Sequence, residues 1–119
     1  PAHGNTQPAA MLENLPVAAM RCAGVDEPLP LSNRALRELL GVPDEAAGKL
    51  TPADVFLSAG DAALVLGRVR AGETKALEVA CRGTDGSAIR VLLQGRPAAD
   101  GQRTYIDCTL QPLNSVNQT

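Results

Sequence analysis

The sequence predicts an α+β domain in which helices cover one face of a five-stranded antiparallel sheet. Two Asp-Gly pairs, Asp85-Gly86 and Asp100-Gly101, divide the second half of the chain into three runs in which apolar residues alternate with polar ones. Because Asp-Gly between alternating runs is a strong hairpin signal, these runs are expected to form a three-stranded meander. The first half contains two short strand candidates, followed by helical segments that begin at capping residues.

The first two strands are predicted at residues 17–22 and 29–32, on either side of a turn-prone segment that contains glycine and proline. Asn33 then precedes a run whose leucines share one helical face, so it is predicted to cap a helix that reaches Leu40. Gly41 follows the last turn and can adopt the left-handed conformation that ends many helices. The two strands are expected to form the first hairpin of the chain.

Three more helices are predicted before the meander. Pro43 and Thr51 begin two short ones, the first with proline and acidic residues in its first turn and the second with a capping-box pattern. A longer helix begins at residue 58 or 61 and ends at residue 71, with Leu64, Val65 and Val69 on its apolar face. This is the main helix of the predicted domain.

The first meander turn fixes the register of the two strands that it joins. A three-residue loop at 84–86 pairs Leu77 with Leu93, Val79 with Val91 and Cys81 with Ile89, all on one face. A two-residue loop would instead set Val79 against Leu92.

The second meander turn is interpreted as a two-residue loop at Asp100-Gly101. This loop sets Leu93 opposite Cys108 and Val91 opposite Leu110, which keeps one face apolar across three strands. The other face is mostly polar, and its apolar exceptions are Leu92 and Tyr105.

Composition limits the classes of function. With 119 residues the chain is expected to be one domain, and its 11 basic and 13 acidic residues, a net charge of -2, make nucleic acid a poor partner. No apolar stretch approaches the roughly 20 residues of a membrane span, so no membrane contact is expected from this fragment. Cys22, Cys81 and Cys108 lack the spacing of metal or redox motifs and fit a reducing cytoplasm.

The order of these elements resembles that of PAS domains, the sensory modules of signalling proteins. The local sequence is similar as well: LENLPV at residues 12–17 resembles the start of a PAS domain, and SNRA at 32–35 with LLG at 39–41 resembles the helix after the second strand. DGS at 85–87 resembles the hairpin before the fourth strand. The resemblance covers about residues 11 to 113 and implies a PAS-like five-stranded antiparallel sheet with helices packed on one face.

The departures from the PAS pattern argue against cofactors. Light-sensing PAS domains share a cysteine on the short-helix segment, and this cysteine attacks a flavin. Residues 51–57 of this chain contain no cysteine. Haem-binding relatives present a histidine from the long helix, whereas the single histidine here, His3, lies near the start of the chain. No cofactor and no metal site are therefore expected. Since no Ser-His or Cys-His pair can be built within the fold, enzyme activity is not expected either.

The sequence divides into a disordered leader at 1–7, an N-terminal flanking helix at 8–15, the PAS domain at 16–113 and a C-terminal linker at 114–119. PAS domains enclose a pocket between helices and sheet, and the candidates to line it here are apolar: Leu36, Leu40, Val55, Phe56, Leu64, Val65, Val79, Val91, Leu93 and Ile106. The candidates for a homodimer contact combine the flanking helix with the outer sheet face: Met11, Leu12, Leu15, Leu92 and Tyr105.

The resemblance implies a cytoplasmic PAS sensor or relay domain of a bacterial signal-transduction protein, of the histidine kinase or cyclic-dinucleotide enzyme type. Its expected partners are a second copy of the chain, the output domain of the parent protein and a small apolar ligand. The alternative is a ligand-free PAS module that serves dimerisation and protein interaction.

Overall fold

The computed structural model describes residues 13–73 and 75–113. Its strands are β1 (Ala18–Cys22), β2 (Leu31–Ser32), β3 (Leu77–Arg82), β4 (Ala88–Asp100) and β5 (Arg103–Pro112). Its helices are α1 (Arg34–Leu40), a 3-10 helix (Asp44–Lys49), α2 (Pro52–Val55) and α3 (Ala59–Arg70). The strands form one antiparallel sheet in the order β2-β1-β5-β4-β3. The predicted fold class and the meander are confirmed.

One hydrophobic core lies between the helices and one face of this sheet. The inward residues of the strands pack there against the buried faces of α1, α2 and α3. Within the described ranges, no helix is long and apolar enough to cross a membrane.

Strand β2 is shorter than the predicted strand at 29–32. Pro28 and Pro30 have no amide N–H to donate to a ladder. The amide between them, that of Leu29, donates to the carbonyl of Leu50 at 2.8 Å instead of pairing with β1. Pairing with β1 is therefore restricted to Leu31–Ser32.

The helix boundaries follow the predicted caps closely. Asn33 caps α1, and Gly41 follows it in the left-handed conformation with φ 77°. Thr51 and Asp54 form the predicted capping box of α2. Pro43 differs from its prediction, since it is the N-cap residue of the 3-10 helix and not its first helical residue.

The register between β3 and β4 is the one that the three-residue loop predicts. Leu77 lies opposite Leu93, Val79 opposite Val91 and Cys81 opposite Ile89. Gly86 has a φ of 87°, which only glycine adopts without strain.

The predicted register between β4 and β5 is wrong by two residues. Leu93 lies opposite Leu110, and Asp100 pairs with Arg103, so the central residues of the turn are Gly101 and Gln102. Gly101 has a φ of 67° and Gln102 a negative one, which is the pattern of a type II′ turn with glycine first. Because the shift is even, the inward residues stay inward and the apolar face is preserved.

The buried face of α3 corrects one predicted pocket residue. Ser58 caps the helix, and its buried residues are Ala62, Val65, Leu66 and Val69, which follow the i, i+3, i+4, i+7 spacing. Leu64 is 63% exposed, since at about 100° per residue it lies on the opposite side of the helix from this stripe. Leu66 occupies the inward position that the prediction gave to Leu64.

Several predictions about the chain ends lie outside the described residues: the leader at 1–7, most of the flanking helix at 8–15, including Met11 and Leu12, and the linker at 114–119. Strand β5 ends at Pro112 as its missing amide predicts, although the amide of Leu113 still donates to the carbonyl of Arg90 at 3.0 Å.

Candidate functional site

The candidate site is the apolar interior between the sheet and helices α1, α2 and α3. Apart from Leu64, the structure brings the predicted pocket residues together in one packed cluster, and all but the half-buried Val79 are buried: Leu36, Leu40, Val55, Phe56, Val65, Val79, Val91, Leu93 and Ile106. A ligand at this position remains a prediction.

Local sequence explains how α2 contributes to the interior. In the capping box, the Asp54 carboxylate accepts from the Thr51 amide at 3.1 Å, which fixes the start of a helix of only four residues. Val55 and Phe56 then point inward and are fully buried. The backbone of Phe56 also bridges to Cys81 of edge strand β3, so α2 is fastened to the sheet.

Gly95 allows α3 to approach the sheet closely. It lies in β4, faces inward and pairs with Cys108. A Cβ atom at this position would lie 3.1 Å from Val69 Cγ2 and 3.2 Å from Cys108 Sγ. Sequence reasoning missed this contact, although an isolated glycine inside a strand pattern is the signal for close approach of another element.

The three cysteines are free and buried on the inner face of the sheet. Cys22 and Cys108 lie on neighbouring strands, and the hydrogen bond between their thiols, together with burial, raises the pKa of Cys22. Burial raises the pKa of Cys81 to about 12. Cys22 and Cys81 are therefore thiols rather than reactive thiolates at neutral pH. The sequence alone could not assign the face of Cys22.

An open pocket of about 210 Å³ lies beside the turn between β3 and β4. It is lined by residues from the end of α1, the approach to α2 and that turn: Leu40, Val42, Leu50, Asp54, Arg82, Gly83, Thr84 and Gly86. Its polar side chains are engaged within the protein, since Thr84 donates to the Gly41 carbonyl at 3.1 Å and Arg82 donates to the Leu57 carbonyl. This arrangement fastens the β3–β4 turn to the helical layer.

Asn33 has a larger role than the predicted helix cap. Its side-chain oxygen accepts from the Leu36 amide at 3.0 Å and from the Ala19 amide at 2.9 Å. Its side-chain nitrogen donates to the Val17 carbonyl at 2.8 Å. The side chain therefore joins α1 to the start of β1, and it is fully buried.

Arg37, one turn further along α1, is the other buried polar residue of the described chain and is only 8% exposed. Its guanidinium donates to the Asp44 carboxylate at 2.9 Å, to the Ser32 carbonyl at 2.9 Å and to the Glu13 carboxylate at 2.5 Å. Burial acts to lower the pKa of Arg37, but the bonds to the two carboxylates outweigh burial and raise it. Sequence reasoning did not single out this residue.

The outer face of the sheet carries paired charges around one aromatic ring. Arg21 of β1 makes a two-point bond to Asp107 of β5 at 2.7 and 3.0 Å, which raises the pKa of Arg21. The guanidinium carbons of Arg21 and Arg103 lie 5.2 and 5.5 Å from the centre of the Tyr105 ring. Leu92 is 37% exposed on the same face.

Comparison with known proteins identifies solved structures with a similar architecture. No protein-family model and no curated protein matches the chain, but solved structures do. A PAS domain from a two-component sensor histidine kinase is 13% identical with a TM-score of 0.74, over 93% of this chain and 97% of the other. The PAS domain of an HTR-like protein from Haloarcula marismortui is 16% identical with a TM-score of 0.75, over 94% and 93%.

A Rhodobacter sphaeroides LOV protein is also similar, with 12% identity and a TM-score of 0.76, over 99% of this chain and 71% of the other. The strand order, the helical layer and these similarities together define the fold as the PAS fold. The resemblance drawn from the sequence is thereby confirmed at the level of fold.

Proposed function

We propose that this chain is a cytoplasmic PAS sensor or relay domain of a bacterial signal-transduction protein, of the histidine kinase or cyclic-dinucleotide enzyme type. The observation that carries the proposal is the closed apolar interior between helices and sheet, held in a fold shared with a PAS domain of a sensor histidine kinase. The output domain belongs to the parent protein. Three unpaired thiols support a reducing compartment.

The chemistry of the interior restricts the ligand to a small apolar molecule. The buried polar side chains of the described chain, Asn33 and Arg37, are both engaged with neighbouring protein groups. An anionic or strongly polar ligand would therefore lack the donors that offset its loss of hydration. The same scarcity of polar groups supports a domain without enzyme activity.

The alternative function is a ligand-free module that serves dimerisation. The observation that favours it is the close approach of α3 to the sheet at Gly95, which fills part of the interior with the protein's own side chains. In this case the outer face of the sheet, with Leu92 and Tyr105, would be the surface that contacts the second copy of the chain.

Native mass spectrometry of freshly purified protein, compared with the same sample after denaturation, separates the two functions. The sensor proposal predicts a retained small molecule that is lost on denaturation and is absent from Val91→Phe, a variant that enlarges an interior side chain. Leu64→Phe, which enlarges an exposed side chain of α3, is the matched control and should retain the molecule.

A clean apo mass, with no rise in unfolding temperature in a panel of small apolar compounds, would contradict ligand sensing and favour the dimerisation module. Circular dichroism checks that the interior variant is folded.

A further inference from the structure

The segment that precedes β1 is fastened to α1 through a buried cation. Arg37 makes a hydrogen bond from each of its three guanidinium nitrogens, to Asp44, Ser32 and Glu13. The side chain of Asp44 is 79% exposed, whereas that of Glu13 is 35% exposed and that of Arg37 only 9%. An exposed partner contributes little because water screens it, so Glu13 is the carboxylate that best compensates the buried charge.

A second contact lies on the same face of the helix. Asn33 and Arg37 are four residues apart, a spacing that places their side chains one above the other. Asn33 binds the backbone of Val17 and Ala19, and Arg37 binds Glu13. Two neighbouring side chains of α1 thus hold two points of the chain between residues 13 and 19.

The neighbouring face of α1 belongs to the interior, since at about 100° per residue Leu36 lies about 100° and Leu40 about 60° around the helix from Arg37. Leu36 and Leu40 are buried in the core among residues from the sheet and the other helices. Helix α1 and its cap residue therefore contact both the candidate ligand pocket and the segment before β1. A displacement of Leu36 or Leu40 would move the Arg37 guanidinium, because a helix of two turns moves as a unit.

We propose that Arg37 and Glu13 form a latch through which α1 couples the packing of the interior to the segment that leads into β1. When the latch is closed, the contact between Arg37 and Glu13 holds this segment against α1. When α1 moves, the hydrogen bonds from the Arg37 guanidinium to the Glu13 and Asp44 carboxylates are broken. The segment that leads into β1 is then released. The coupling would serve the proposed sensing function, but the latch itself requires no ligand and is tested without one.

Hydrogen–deuterium exchange followed by mass spectrometry tests the latch. Glu13→Gln and Arg37→Gln should each speed exchange in peptides that cover residues 13–19 by about tenfold or more, while β3 and β4 stay protected. Glu38→Gln is the matched control, since Glu38 is an exposed acid on α1, and it should leave this exchange unchanged. If Glu13→Gln exchanges like Glu38→Gln, the latch does not exist.

A second experiment tests the coupling to the interior. Leu36→Val removes one methylene from the inward face of α1 and should speed exchange of residues 13–19 in the protein with Arg37 intact. In the Arg37→Gln background the same substitution should add little, because the latch is already open. Equal effects in both backgrounds would overturn the coupling.

Two further variants complete this design. Val69→Ala loosens the interior at α3 instead of α1 and should leave exchange of residues 13–19 unchanged. Arg37→Lys keeps the charge but not the planar fork, and it replaces Arg37→Gln if that variant does not fold. Because none of these arms contains a ligand, a failure of the latch is distinguishable from a failure of ligand sensing.

Discussion

The buried side-chain amide of Asn33 joins helix α1 to the start of strand β1 through three hydrogen bonds. It caps α1 and at the same time bonds both an acceptor and a donor of the β1 backbone. We expect Asn33→Ala to lower the free energy of unfolding by about 2 to 4 kcal/mol, because it removes three hydrogen bonds and leaves the buried Ala19 amide without a partner. A helix cap alone, as predicted from the sequence, would account for about 1 kcal/mol.

Urea denaturation measures this effect, and Ser58→Ala is its control. Ser58 caps α3 with one exposed hydrogen bond to the Asp61 amide, so its loss should lower stability by about 1 kcal/mol. Equal losses for the two variants would mean that the bonds of Asn33 to β1 contribute nothing.

The buried thiols give the domain an alkaline limit. Burial raises the pKa of Cys81 from 9.0 to about 12. Below pH 9 the thiol is protonated in the folded and the unfolded state, so its contribution to the free energy of unfolding does not change with pH. From pH 9 to 12 only the unfolded state loses this proton, so the free energy of unfolding should fall by about 1.4 kcal/mol per pH unit for this group.

Urea denaturation as a function of pH measures that slope. Cys81→Ala should be less stable at neutral pH but should lose stability more slowly than the parent protein above pH 9. All other ionisable groups are the same in both proteins, so the comparison isolates the thiol. Parallel curves would show that Cys81 ionises in the folded state.

The two meander turns show which strand register could be predicted from the sequence and which could not. The β3–β4 register was predictable because the three-residue loop makes three apolar pairs, whereas the two-residue loop would set Leu77 against Gln94 and Cys81 against Arg90. The β4–β5 register was not, because a shift of two residues preserves the inward face, so alternation cannot distinguish the two alternatives. The position of Gly101 within the turn decides between them, and that depends on the turn type.

The approach of α3 to β4 depends on Gly95. We expect Gly95→Ala to lower the free energy of unfolding by about 1 to 3 kcal/mol, since the new methyl group would contact Val69 and Cys108 more closely than packed atoms normally do. The loss should be smaller in a Val69→Ala background, where space for the methyl group exists.

Gly67→Ala is the control for this prediction. Gly67 lies on the exposed face of α3, and an added methyl group would have no atom within 4 Å. The substitution should raise stability by about 0.5 to 1 kcal/mol through helix propensity. If both alanine variants stabilise the protein, α3 does not pack on Gly95 as described.

At the scale of the whole molecule, the sequence predicts the contents of the interior better than the contacts that organise it. Alternation and helical spacing identify inward apolar residues, and Leu64 was misplaced because its neighbours in sequence are apolar on both sides. Arg37 could not be found in this way, because its partner Glu13 lies 24 residues away and charge patterns report only local pairs. Long-range polar contacts require the fold.

The outer sheet face is the surface through which two copies of the chain are expected to assemble. Glu13 is bonded to Arg37 of α1, the helix that follows edge strand β2. Leu92 lies on β4, which is three strand spacings, or roughly 14 Å, from β2. Among the described residues, Leu92 and Tyr105 are the large apolar groups of this face, and ion pairs such as Arg21 with Asp107 surround them. A surface this polar is expected to form a weak homodimer.

Sedimentation velocity across a micromolar concentration series measures the dimer. Leu92→Arg should raise its dissociation constant by about tenfold or more, since it would place a charge where the expected dimer buries Leu92. Leu64→Arg, at the most exposed leucine of the described chain, should leave the dissociation constant unchanged. Leu12→Gln tests whether the flanking segment contributes to the dimer, and it leaves Glu13 in place. A truncated chain that begins at Pro16 would lose Glu13 as well. If Leu92→Arg and Leu64→Arg sediment alike, the outer face is not the dimer contact.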